Sequence, residues 1–132
     1  MSERSFIADA IKQKEEGADE RLSAHFSKSE FNQRRRQLKM KDYSIDSSLV
    51  GKLEELRTSI GNKPIKVTSG YRTPEYNRLV GGARNSQHMY GKAADVMVEG
   101  MDSRDLEKHA KKVGFSYTQT YRNKPHLHVD VR

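Results

Sequence analysis

Ser86-Gln87-His88-Met89-Tyr90-Gly91-Lys92-Ala93-Ala94-Asp95 and His126-Leu127-His128-Val129-Asp130 are the two stretches on which the reading of this chain turns. Together they hold three of its five histidines, and each carries an aspartate beside small or apolar residues. From His126 to Val131 the two-residue period of a strand puts His126, His128 and Asp130 on one face and Leu127, Val129 and Val131 on the other. From Ala93 to Val98 the same period sets Ala94, Val96 and Val98 against Asp95 and Met97. One face of each strand suits a core and the other a site. If the strands are neighbours, Asp95 meets the histidines. His88 precedes Asp95 across Gly91, which suits a loop folding back to the same point.

Two imidazoles and one carboxylate leave the fourth position of a tetrahedral ion open to water, the pattern of catalytic rather than structural zinc. On spacing alone the metal site weighs evenly against two histidines on a solvated strand face and an aspartate that caps a turn. The chain has no cysteine, so disulfides and thiolate ligands are excluded and any metal uses His and carboxylate.

Upstream, Ile65 and Val67 alternate with polar neighbours as a strand that delivers Ser69-Gly70-Tyr71-Arg72. Thr73-Pro74 reads as a helix N-cap followed by proline at the first helical position. Arg72 therefore falls at a strand-to-helix junction, where its guanidinium either pairs bidentately with a ligand carboxylate or completes a structural salt bridge. Tyr71 and Tyr76 either line a cleft or pack. Gly81-Gly82 ends this helix, and a loop from Ala83 to Lys92 carries Ser86 and His88, as loops on a rigid scaffold commonly do for site residues. No Gly-x-Ser-x-Gly elbow surrounds Ser86, so it is read as a hydrogen-bonding partner and not a nucleophile.

The ordered motifs Ser69-Gly70-Tyr71-Arg72-Thr73, Ser86-x-His88-x-x-Gly91-x-Ala93-x-Asp95 and His126-x-His128 resemble those of the zinc D-Ala-D-Ala carboxypeptidases. These are the M15 group of peptidoglycan metallopeptidases, which includes small phage endolysins. The resemblance runs from about His25 to Arg132. It implies that His88, Asp95 and His128 hold Zn2+, that Arg72 binds the substrate carboxylate or the developing oxyanion, and that His126 assists acid/base transfer. Ser86 and Tyr71 are the further substrate-binding candidates. Some branches of the family carry a glutamate base three residues before the last ligand, and here that position is Pro125. Asp130 is then a partner for the ligands around it. The implied substrate is a peptidoglycan stem peptide, the reaction zinc-assisted amide hydrolysis in wall lysis or remodelling. The alternative is a non-catalytic wall-binding or phage structural module that keeps the fold.

The chain of 132 residues is one-third hydrophobic and one-third charged, which fits a single modest core. One domain over residues 1–132 is expected, with residues 1–20 as a helical extension in which Phe6, Ile7, Ala10 and Ile11 recur at helical spacing as far as Gly17. No apolar run reaches the ~20 residues of a membrane span. The N-terminus lacks a signal-peptide pattern, so the protein is expected to be cytoplasmic when made and to reach the wall by another route, such as a holin. The net charge of +7 sits mainly in residues 63–132. A basic surface attracts polyanions without choosing among them. Arg34-Arg35-Arg36, with Lys39 and Lys41, has no interleaved aromatic residue to stack on bases, so no specific nucleic acid is expected. A monomer is expected.

Ser27-x-x-Glu30 is a capping box that opens a short helix, and His25 beside it is read as structural. Leu49, Leu53, Leu56 and Ile60 form an apolar stripe after an N-cap at Ser47, stopped by Gly61. Asp102-x-x-Asp105 opens a helix whose apolar face carries Leu106, His109, Ala110 and Val113, closed by Gly114. His109 is read as a satisfied core histidine. Phe115, Tyr117 and Tyr121 suggest a further strand, and Asn123-Lys124-Pro125 turns into the last one. The fold class is α+β: a small antiparallel sheet with helices mainly on one face, and a cleft on the other.

Overall fold

The computed structural model describes residues 20–32 and 43–132. The N-terminal helix expected as far as Gly17 and the run Arg34-Arg35-Arg36 with Lys39 and Lys41 lie outside the described residues. Among the described residues, four strands, β1 (Lys66–Ser69), β2 (Ala93–Met97), β3 (Tyr117–Thr120) and β4 (Leu127–Asp130), form one sheet in the order β1-β2-β4-β3. Every neighbouring pair is antiparallel. In the same described residues three α-helices accompany it, α1 (Ser47–Ser59), α2 (Pro74–Leu79) and α3 (Ser103–Val113). The α+β class read from the sequence is the one observed.

The alternation along β2 and β4 decides what the sheet faces. Ala94, Val96, Leu127 and Val129 are completely buried, and join Leu49, Leu53 and Leu56 of α1 and Leu106 and Ala110 of α3 in one core. Non-directional burial of this kind is the main stabilising term available to a chain this polar. The opposite face carries a row of polar residues fixed by register. Ser69 pairs with Asp95, Asp95 with His128, and His128 with Gln119, one residue from each strand. A register shift between Val67 and Ser69 ends regular pairing just before Gly70, and bulges beside sites commonly re-aim a strand in this way.

The helices start and stop where local chemistry demands. The cap of α1 is Asp46 rather than Ser47: Asp46 has extended backbone angles, and its carboxylate accepts the Ser48 N–H at 2.7 Å. A carboxylate there meets an orphan amide and the positive end of the helix dipole at once. Thr73 caps α2 by accepting the Tyr76 N–H at 3.0 Å, and Pro74 follows as expected. Asp102 caps α3 through Arg104 N–H at 2.9 Å, and Gly114 ends it at φ +94°.

Residues 20–32 close one end of the core with buried Phe26 and Phe31. The capping box is formed, with Ser27 N–H donating to the Glu30 carboxylate at 2.8 Å and a 3-10 helix over Lys28–Phe31. Phe31 carbonyl accepts the Tyr71 N–H at 2.8 Å, and Gly70 packs so closely on the Phe31 backbone that no side chain fits there. His25 is held by Glu54 at 2.7 Å. His109 meets Ser59 Oγ at 2.6 Å. His25 is exposed, and His109, read as a core residue, is only half-buried; each is tied to a residue of α1 by its ring.

Candidate metal centre

The loop from Ala83 to Lys92 is not irregular throughout, because Gln87–Tyr90 forms a 3-10 helix. Ser86 caps it by accepting the His88 N–H at 3.2 Å, and Gly91 closes it in the left-handed region at φ +68°. A side chain on Gly91 would also run into the Ser44 carbonyl. The glycine in the Ser86-to-Asp95 motif is thus required twice over, by backbone angle and by space. Arg72 N–H donates to the His88 carbonyl at 3.1 Å, which ties the two upstream motifs directly together.

His88, Asp95 and His128 come together as the spacing suggested. One ligand atom from each lies within 4.8 Å of the others, and all three residues are buried. The partners of each imidazole assign its free nitrogen. Gly70 carbonyl accepts the Nδ1–H of His88 at 2.7 Å, leaving Nε2 buried, without a hydrogen-bonding partner, 3.4 Å from Asp95 Oδ1. Asp130 accepts the Nε2–H of His128 at 2.8 Å, so Nδ1 faces the same Asp95 oxygen at 3.2 Å. Two lone pairs and an anionic oxygen converge on one point, which is costly unless a cation or a proton sits among them. The donor set is therefore one that fits a divalent ion of zinc type.

The electrostatics agree. Burial pushes the Asp95 carboxyl up, but the interactions with His128 and His88 outweigh it and hold it well below the ordinary carboxylate range. Burial likewise lowers His128, yet Asp95 and Asp130 prevail and raise it above 6.5. Asp130 is fully buried; burial raises it, while Arg132 and then His128 bring it below its ordinary value. Arg132 grips Asp130 with two bonds, Nε to Oδ1 at 2.9 Å and Nη2 to Oδ2 at 2.7 Å, and lies over the Tyr117 ring at 4.3 Å. Asp130 has both oxygens engaged, so it orients His128 and is not a free base.

Asp130→Asn tests that support. Removing the anion behind a ligating histidine typically costs 10–100-fold in metal affinity, and zinc titration against a competing chelator reads it. Zinc must displace the proton that the two carboxylates hold on His128. In the parent chain, affinity therefore weakens as pH drops through the raised pKa of His128, and in the variant that onset moves to lower pH. The same raised pKa makes the protonated form contribute stability to the metal-free chain below the unfolded value, a contribution lost as pH rises through the folded one.

A cleft of about 580 Å³ opens beside the ligand set, and Arg72, Ser86, His88, Tyr121 and His128 are on its wall. Arg72 is largely buried, with Nη2 3.9 Å from Asp95 Oδ2 and Nη1 donating to Asn77 Oδ1 at 3.3 Å. Asn77 is buried on α2 and donates in turn to the Ala83 carbonyl at 2.8 Å. Arg72 Nε is buried and lacks a partner. His126 and Tyr71 are not on the cleft wall: His126 stands edge-on to the Tyr121 ring, centroids 5.5 Å apart, and Tyr71 stacks on Tyr43 at 5.1 Å. Asn77, Arg132 and Tyr121 are the site residues that sequence reasoning missed. Tyr117, Gln119 and Tyr121 share a two-residue period, which would have placed them on the His128 face once β3 was paired with β4.

A small antiparallel sheet with two helices under one face carries, on the other, a His, Asp, His set beside a cleft, the donor pattern of catalytic rather than structural zinc. The family model described as Peptidase M15 matches residues 24–130, and the chain belongs to that family. It is 43% identical over 65 residues to a zinc D-Ala-D-Ala carboxypeptidase from Streptomyces albus G, covering 49% of this chain and 26% of the relative. It is 31% identical over 94 residues to the peptidoglycan L,D-endopeptidase MepK of Escherichia coli (strain K12), covering 67% of this chain and 52% of that one. The chain thus spans about half or less of the length of these relatives.

Proposed function

We propose that this chain is a zinc-dependent peptidase that hydrolyses amide bonds in peptidoglycan stem peptides. The observation that carries the proposal is the convergence of His88 Nε2, His128 Nδ1 and the Asp95 carboxylate on one point at the edge of a cleft. His88, Asp95 and His128 hold the metal. Bound there, zinc supplies Lewis acidity toward the scissile carbonyl and toward water.

The rest of the chemistry falls to the chain. Asp130, fixed by Arg132, keeps the Nε2–H of His128 directed away from the centre. Gly70 carbonyl does the same for the Nδ1–H of His88. Arg72, steadied by Asn77, offers a permanent charge to the substrate carboxylate or to the oxygen that becomes anionic. Ser86 holds the His88 backbone and presents its oxygen to the cleft. Tyr71 anchors the strand end that carries Arg72. His126, just before β4 and edge-on to the Tyr121 ring of the cleft wall, is the residue assigned to exchange the proton with the leaving amine. His126→Ala then keeps stoichiometric zinc and loses roughly 10²- to 10⁴-fold in turnover, the usual contribution of a general acid/base; unchanged turnover removes it from that role.

The family and the activities for which the two relatives are named support the wall peptide as substrate. The finer reading, a monomeric phage endolysin, rests on the resemblance of the motifs alone. The deciding experiment is mass spectrometry of soluble fragments from purified peptidoglycan, incubated with the zinc-loaded protein and with a chelated control. Fragments that depend on zinc establish the peptidase, and their masses identify the bond cut. Stoichiometric zinc with wall binding but no fragments points instead to a non-catalytic wall-binding module, the reading that Pro125 in place of a glutamate favours.

A further inference from the structure

Tyr121 brings a hydrogen-bond donor to the ligand set that no motif marks. It follows β3 directly, and its ring lies on the cleft wall. Its hydroxyl donates to Asp95 Oδ1 at 3.2 Å. That same oxygen faces His128 Nδ1 at 3.2 Å and His88 Nε2 at 3.4 Å. A cation seated among these groups would compete with the phenol hydrogen for Oδ1, and the half-buried hydroxyl already stands on the cleft wall. Turned toward the cleft, the hydroxyl can donate instead to an oxygen of whatever enters beside the ligands.

Asp95 Oδ2 faces Arg72 Nη2 at 3.9 Å. Arg72 and Tyr121 thus stand at the two oxygens of one carboxylate, and both are on the cleft wall. Paired donors beside a Lewis-acid position are the arrangement that stabilises charge developing on a carbonyl oxygen. His126, packed edge-on against the ring, keeps the phenol from swinging away.

We propose that Tyr121 is a catalytic residue: its hydroxyl turns from Asp95 to donate a hydrogen bond to the scissile carbonyl oxygen as that oxygen becomes anionic, opposite Arg72. No proton changes hands in this role. The O–H bond is kept, and the hydrogen bond shortens as charge builds on the acceptor. The inference rests on the amide-hydrolysis reading of the same cleft.

Tyr121→Phe removes the hydroxyl and keeps the ring. The variant is compared with the parent, both zinc-saturated, by zinc stoichiometry, by kcat and KM on a purified stem peptide, and by calorimetric binding of a phosphinate dipeptide. The phosphinate carries a tetrahedral anionic centre where the scissile carbonyl would lie. The expected result is stoichiometric zinc, KM within about twofold, and losses of about 10²-fold in both kcat and phosphinate affinity, the cost of one oxyanion donor. Parental kcat and phosphinate affinity in the variant would overturn the proposal. So would a loss that excess zinc restores, since Tyr121 would then only hold Asp95 in place. If the zinc-loaded parent neither cleaves the peptide nor binds the phosphinate, the hydrolase reading falls and this proposal with it, a result distinct from an active parent with an unimpaired variant.

Discussion

Asp95→Ala is expected to abolish zinc binding and peptide hydrolysis together. The Asp95 carboxylate is the point on which His88, His128, Tyr121 and Arg72 all converge. It is also the anion of the ligand set, so its loss leaves two neutral nitrogens that hold zinc weakly. Hydrolysis then returns to background, a fall of about 10⁶-fold or more if the parent accelerates the reaction by an ordinary enzymatic factor. Elemental analysis of the purified variant, beside the fragment assay, checks both halves of the expectation. Asp95→Asn separates charge from shape, because it keeps an oxygen near the Tyr121 hydroxyl and still forfeits the anion. Zinc-free Asp95→Ala protein that cleaves at the parental rate would show that hydrolysis does not need this metal, whereas Asp95→Ala protein that keeps stoichiometric zinc would show that the metal is held elsewhere.

Arg72→Gln is expected to keep zinc and to lose 10²- to 10³-fold in kcat/KM, the range for removing a donor to a developing oxyanion. Arg72 approaches Asp95 only at 3.9 Å and is held in place by Asn77, so its removal spares the ligands. The split between the constants tells its two candidate roles apart. A guanidinium that pairs with a substrate carboxylate in ground and transition states alike raises KM when lost, whereas one that meets only the developing charge lowers kcat. Arg72→Lys restores little of either, because a point charge on a flexible stem lacks the planar fork. Parental kinetics in Arg72→Gln would reduce this residue to a structural ion pair.

Much of this site was legible because strands have a period of two. Asp95 against Ala94 and Val96, and His128 against Leu127 and Val129, state in the sequence which side chains leave the core and which enter it. The helix caps at Thr73 and Asp102 were equally readable, since a cap is satisfied within a few residues of itself. Where the reading slipped, the competing group was adjacent: Asp46 reaches Ser48 N–H and takes the capping place from Ser47. The 3-10 helix over Gln87–Tyr90 escaped notice because a single turn leaves no periodicity to detect.

The sequence by itself determined the class of the fold and the position of Arg72 at a strand end, because both follow from patterns close along the chain, and it offered His88, Asp95 and His128 as candidate ligands through the resemblance of their motifs. Only the tertiary structure decided which nitrogen each histidine turns inward, through the Gly70 carbonyl for His88 and Asp130 for His128. It also decided that Arg132 clamps Asp130, that Asn77 steadies Arg72, and that Tyr121 rather than His126 touches Asp95. These follow from the β1-β2-β4-β3 order and from the register that sets Asp95 opposite His128 and His128 opposite Gln119. Register between distant strands is chosen by packing of the whole apolar face, and no local pattern in the chain encodes it.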